Sequence, residues 1–116
     1  MKVVMQSATT ITASSTTENV LTGQRYERCP FNAFGALYCA GSAAGLTAEL
    51  NVGGNSVSPP TTVNAQNRLP VVPDDLLVDG WEAPEGRLIQ VRAVNTTGGN
   101  LVLNWRVELD EVTFQE

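Results

Sequence analysis

The stretch Leu101-Val102-Leu103-Asn104-Trp105-Arg106-Val107-Glu108-Leu109-Asp110 decides the fold. Its odd positions are all apolar, and its even positions are mostly polar or charged. A period of two puts one set of side chains on each face of an extended chain, so this is a strand with one buried face. Just upstream, Ile89, Val91 and Ala93 alternate with Gln90 and Arg92. Thr96-Thr97-Gly98-Gly99-Asn100 lies between them and supplies glycines where a turn needs positive φ. Residues 87–95 and 100–109 are therefore predicted to form one antiparallel hairpin.

Working outward, the apolar run Ala36 to Ala40 leads into Gly41-Ser42-Ala43-Ala44-Gly45. Leu46, Ala48, Leu50 and Val52 then alternate with Thr47, Glu49 and Asn51 until Gly53-Gly54-Asn55. This predicts a second hairpin. Alanine favours helix, but the alternation and the bracketing glycines favour strand. Residues 2–28 are rich in Thr, Ser and Val, which suit a pleated, half-buried surface. Strands are predicted near 3–12, 16–22 and 24–29. Between residues 59 and 86 stand Pro59, Pro60, Pro70, Pro73 and Pro84. Proline cannot donate to a sheet ladder, so this stretch is predicted as an ordered crossing connection. It has room for short edge strands near 61–64 and 75–78, or one helical turn after Pro73. A long connection of this kind is what a Greek-key or jelly-roll sandwich requires. The fold expected is a single all-β domain over residues 1–116, an antiparallel β-sandwich of jelly-roll type with seven or eight strands.

A chain of 116 residues makes one domain. Only 16% of it is charged, and twelve Thr, nine Asn and six Ser cover the surface instead. Histidine is absent, which removes Ser-His-Asp and Cys-His catalysis and His-type zinc sites. A net charge of −5 with seven scattered Arg/Lys gives no basic stripe for nucleic acid. No apolar run approaches the length of a membrane span, and no signal-peptide core follows Met1-Lys2. The sequence therefore reads as made in the cytosol, with no nucleic-acid or membrane partner.

Few residues invite chemistry. Cys29 and Cys39 are compatible with a disulfide if their strands pair, and otherwise act as small apolar core residues. Asp74, Asp75, Asp79, Glu82 and Glu85 are oxygen ligands of the kind calcium takes, but their spacing is not that of an EF-hand. The plainer reading is a solvated acidic loop. A carboxylate pair for glycoside hydrolysis arises by chance in any β-domain with 12 acids. Trp105 belongs to the apolar phase of its strand. Trp81 follows Asp79-Gly80 in the proline-rich stretch, either as an exposed anchor or as a lid tucked onto its own core. Tyr26, Phe31, Phe34 and Tyr38 are expected to close one end of the core. Asn95-Thr96-Thr97 is a glycosylation sequon of a kind that often occurs by chance. No catalytic, cofactor-binding or metal-ligating set is predicted.

The Thr/Ser-rich opening from Ser7 to Thr17, the small-residue turn Gly41–Gly45 and the closing run Val94–Trp105 resemble small structural proteins of bacteriophage virions. The likeness is to single-domain decoration or cement proteins and minor jelly-roll capsid components. It implies a non-enzymatic protein on the capsid surface, assembling as a symmetric oligomer, often a trimer, and touching the major capsid protein. On that reading the stiff segment from Pro70 through Pro73, Asp74 and Asp75 to Trp81 docks on an adjacent subunit or on the shell. Trp81 is its expected anchor, and Arg25, Arg28 or Arg68 of a neighbouring copy pairs with its acids. The rival is a carbohydrate- or receptor-binding β-sandwich module, which exposed aromatics on one sheet face would favour.

Overall fold

One tight turn organises the chain. Val52 and Asn55 pair across Gly53 and Gly54, whose φ values of 59° and 86° are both left-handed. A two-residue turn of this type matches the twist of the strands it joins, and glycine adopts it without a Cβ clash. The computed structural model describes residues 2–72 and 74–112. Four strands precede the turn: β1 (Lys2–Ile11), β2 (Ser15–Thr17), β3 (Ala33–Gly41) and β4 (Leu46–Val52). Four follow it: β5 (Asn55–Thr62), β6 (Leu76–Ala83), β7 (Ile89–Asn95) and β8 (Leu101–Glu111).

Each strand before the turn has an antiparallel partner after it: β1 with β8, β2 with β7, β3 with β6 and β4 with β5. The two halves of the chain thus form one long ribbon folded at Gly53-Gly54. Rolling that ribbon brings β3 beside β8 and β4 beside β7. Two four-stranded sheets result, β1-β8-β3-β6 and β2-β7-β4-β5. The protein is an all-β antiparallel sandwich, as the alternation predicted, and no helix occurs among the described residues. None is therefore long and apolar enough to cross a membrane.

Several strands were placed correctly and paired wrongly. Residues 89–95 and 101–111 are strands, but β7 and β8 lie in opposite sheets. The predicted hairpin 36–40/46–52 fails in the same way, because β3 and β4 also belong to different sheets. Each five-residue glycine loop arches across the core instead of folding strands side by side. The arch sets the apolar faces against each other, which buries both, whereas a hairpin would align them in one face. The predicted strand at 24–29 is reduced to a bridge between Arg28 and Leu88. The predicted strand at 16–22 shortens to β2, and Val20 and Leu21 plug the core from a loop. Asn19 holds that loop: its Oδ1 accepts from the amides of Leu21 and Val91, and its Nδ2 donates to the Ile89 carbonyl. In the proline-rich stretch the strands are longer than predicted. β5 carries Pro59-Pro60 on an outer edge, where a missing donor costs no ladder bond.

The core follows the alternation. Ile89, Val91 and Ala93 of β7 and Leu46, Ala48 and Leu50 of β4 face Leu103, Trp105, Val107 and Leu109 of β8 across the sandwich, all at most 1% exposed. The Trp105 indole Nε1 donates to Thr9 Oγ1 at 3.1 Å, so the largest core side chain has its polar atom satisfied.

Candidate functional site

The connection from β5 to β6, residues 63–75, crosses from one sheet to the other at the end of the sandwich that also holds loops 12–14, 41–45 and 96–100. Its first residue is fixed by Val63, buried, whose amide donates to the Leu46 carbonyl. Its last is fixed by Asp75. That carboxylate is 2% exposed as a residue and accepts from the Val71 amide at 2.8 Å. Arg68 donates to it through Nε and Nη2, both at 3.3 Å, and Asn64 Nδ2 approaches at 3.5 Å. The backbone joins in: the Asp75 amide donates to the Val71 carbonyl, and the Asp75 carbonyl accepts from Cys39. Burial pushes the Asp75 carboxyl up, but the Val71 amide, Arg68 and Asn64 outweigh it and hold it below its ordinary value. The connection is knotted around one charge.

What the knot holds outward is apolar. Leu69 is 52% exposed, Val71 39%, Val72 48% and Leu76 40%, which makes four of the six large hydrophobic residues that stay in solvent among the described residues. Fully burying such a side chain is worth about 1.5–3 kcal/mol, and one left half exposed forgoes roughly half of that. Pro70 is buried beneath them and Asp74 is exposed. Pro73, the other proline expected in the docking segment, lies outside the described residues.

The structure separates the remaining predicted interface residues. Trp81, expected as an exposed anchor, is 4% exposed and sits on the core side of β6. Arg68, expected to reach a neighbouring copy, pairs with Asp75 of its own chain. Arg25 and Arg28 are at the opposite end of the sandwich. Arg25 stands 5.3 Å above the Tyr26 ring, and Arg28 donates to the Gly86 carbonyl. The acidic set is dispersed too. Asp79 caps its own turn by accepting from the Gly80 amide, while Glu82 and Glu85 are exposed. No group of metal-ligating side chains occurs among the described residues. Cys29 and Cys39 are both free and buried. Asn95 of the sequon is 1% exposed, with its amide committed to the Ile11 and Gly99 carbonyls.

Sequence reasoning missed one feature, on the outer face of the β1-β8-β3-β6 sheet. Registers place Asp79 and Glu108 on either side of Ala36, and Asp110 beside Phe34. Phe34 and Tyr38 are two residues before and after Ala36 on the same face. The small side chain at the centre leaves a depression of about 210 Å³, lined by both rings, these three carboxylates and Lys2. Phe34 is 42% exposed and Tyr38 is buried, so neither closes the core as expected. Tyr26 and Phe31 do pack against it. Glu108 is bound by Lys2 Nζ at 3.0 Å and Arg106 Nε at 2.7 Å. Burial pushes its carboxyl up, and the hydrogen bonds from Arg106 and Lys2 more than reverse that. Burial, with Glu108 and Asp79 nearby, raises the Tyr38 phenol, which therefore stays protonated.

No protein family, curated protein or solved structure matches this chain.

Proposed function

We propose that this chain is a non-enzymatic structural protein of a virion, a jelly roll that docks onto copies of itself and onto a capsid lattice. The observation that carries the reading is the Asp75-knotted connection, which presents Leu69, Val71, Val72 and Leu76 to solvent on a rigid base. Apolar side chains held outward by a connection anchored on the buried Asp75 carboxylate lose little entropy on docking, which is what a repeated protein–protein contact needs. The ribbon order β1-β8-β3-β6 over β2-β7-β4-β5 supports the jelly-roll reading, since two interlocked Greek keys give that order. The bacteriophage resemblance supplies the expected setting, a symmetric oligomer such as a trimer on the capsid surface beside the major capsid protein. Closed point-group symmetry is the usual outcome when identical chains associate, and a trimeric ring joins this patch to a different one on the next copy.

Light scattering and co-sedimentation with particles test it. The double variant Leu69→Asp/Val72→Asp should lose assembly mass while its melting temperature stays within a few degrees of wild type, because both side chains are already in solvent. A variant that assembles like wild type overturns the reading.

One observation favours a second reading, a carbohydrate- or receptor-binding module: the exposed Phe34 ring beside Tyr38 on a sheet face. Binding of neutral glycans by a stable monomer would select it.

A further inference from the structure

The two sheets are edged by β1 and β6 and by β2 and β5, and three of these edges are guarded. β5 carries Pro59-Pro60, β2 has only three residues, and β6 is broken by the Gly80 bulge and a second shift of register. Prolines, short length and bulges are the devices by which sheet edges avoid pairing with other chains. β1 has none of them. Its ten residues pair with β8 in one register from Lys2↔Asp110 to Ile11↔Leu101, with neither proline nor glycine. Its one charge, Lys2, stands at the end and is bound to Glu108 of its own sheet at 3.0 Å.

The rim of β1 that faces away from β8 is open. Alternate residues of an antiparallel edge turn their N–H and C=O outward, about five of the ten here. The Ile11 carbonyl takes the Asn95 amide, but among the described residues no backbone group of residues 2–10 bonds outside the β1–β8 ladder. On the outer face of the sheet, Lys2, Val4, Gln6, Ala8 and Thr10 form an exposed row, with Val4 at 41%. That row is self-complementary. When a second β1 lies antiparallel about a two-fold axis at Gln6, Val4 faces Ala8, Gln6 faces Gln6 and Lys2 faces Thr10. The two lysines are then at opposite ends of the seam, and no like charges meet. Gln6 Oε1 accepts from Arg106, which leaves its Nε2 to donate to the Gln6 of the second copy.

We infer that β1 pairs with the β1 of a second copy, joining two four-stranded sheets into one continuous sheet through a two-fold axis. The seam is about 34 Å long at the rise of an antiparallel strand. Two-fold pairing consumes both open edges at once, and each far edge of the joined sheet is the bulged β6. The contact therefore closes at two copies and does not run on as a fibre. The inference shares with the assembly reading the premise that copies bind one another. It uses a different surface from the β5–β6 connection and fixes a two-fold junction, whereas the apolar patch there serves a ring or a lattice.

Charges placed on the exposed row test this. One variant carries Val4→Lys and Ala8→Lys, the other Val4→Glu and Ala8→Glu, and thermal melts confirm that both are folded, as expected of exposed positions. The two-fold sets position 4 of one copy against position 8 of the other. Each variant alone then opposes like charges and should dimerise roughly tenfold more weakly than wild type or worse, read by sedimentation equilibrium. Mixed in equal amounts they should regain association, because each lysine then faces a glutamate. In the wild type, hydrogen exchange should slow at alternate β1 amides as concentration rises, and Leu69→Asp/Val72→Asp should keep that protection. No concentration-dependent protection along β1, or its loss in Leu69→Asp/Val72→Asp, overturns the seam. If both charge variants associate as wild type does while Leu69→Asp/Val72→Asp does not, the seam is overturned and the assembly reading stands. A mixture that regains nothing overturns the two-fold pairing. A wild-type chain that stays monomeric in solution yet co-sediments with particles also overturns the seam and leaves the assembly reading standing. Protection of β1 in that bound state alone would assign the edge to a strand of another protein.

Discussion

The Trp81 indole lies against the bare backbone of Gly35. The two residues are paired between β6 and β3, and a Cβ built on Gly35 would come within 2.6 Å of the indole Cε2 and closer still to Cζ2 and Cη2. Ring and backbone cannot both keep their places if Gly35 gains a side chain. Gly35→Ala should cost about 1–3 kcal/mol by overpacking, and Trp81→Ala about 3 kcal/mol by leaving a cavity. The second value is set at the low end because the indole Nε1 has no hydrogen-bond partner among the described residues, and its removal relieves a buried orphan. Urea unfolding measures both. A Trp81→Ala chain as stable as wild type would return Trp81 to the surface role expected from the sequence.

That misplacement has a local cause. Val78 and Trp81 both face inward although three positions separate them, because Gly80 (φ 69°) sits in a bulge that the opposite strand skips. The bulge breaks the period of two, and five nearby prolines suggested a loop. Where the sequence alternation runs through, in β4, β7 and β8, it alone located the strands to within a residue or two. Pairing was not legible there, because Gly41–Gly45 and Thr96–Asn100 can equally serve a hairpin or an arch. The choice is made by which apolar faces must meet, and that depends on residues about a hundred positions apart in the chain, such as the paired core residues Met5 and Val107. The depression over Ala36 was hidden for the same reason, since its walls come from β3, β6 and β8 and converge only through register.

Acid should unfold the protein through two carboxylates. Asp75 and Glu108 are both held below their ordinary values of 3.8 and 4.5. A carboxyl that is lower in the folded than in the unfolded state stabilises the fold above the unfolded value, and that contribution is lost as pH falls through the folded one. Melting temperature should therefore hold level above these values and drop steeply below them. Asp75→Asn should cost about 1–3 kcal/mol at neutral pH, because Arg68 and the Val71 amide lose their charged acceptor. Combined with Glu108→Gln it should flatten the acid limb. An acid limb as steep in the double variant as in wild type would assign acid sensitivity elsewhere.

The two thiols should be inert in the native state. Burial pushes Cys39 up to about 12, and Cys29, also raised first by burial, donates its Sγ–H to the Phe31 carbonyl. Thiolate is the reactive form, so iodoacetamide at neutral pH should leave both unmodified over hours and alkylate both in urea. Intact-mass spectrometry reads the number of adducts. Modification without denaturant would mean that the strands open locally around β3.

Asn95 argues against its own sequon. It ends β7 at 1% exposure, where its Nδ2 donates to Ile11 at 3.0 Å and Gly99 at 2.8 Å. Its Oδ1 accepts from the Thr97 amide and hydroxyl at 2.9 and 2.7 Å. A side chain making four bonds inside an arch has no free amide to carry a glycan, and it is what shapes the crossing from β7 to β8. Asn95→Asp keeps the two acceptor bonds but strands the Ile11 and Gly99 carbonyls opposite a carboxylate. Asn95→Ala loses all four bonds. Both should destabilise by at least about 1–3 kcal/mol, with Asn95→Asp worse above the carboxyl's titration and partly recovering in acid as it regains a proton to donate. Thermal melts across pH separate the two variants. Equal stability of Asn95→Ala and wild type would show that the glycines of Thr96–Asn100, and not this amide, hold the arch.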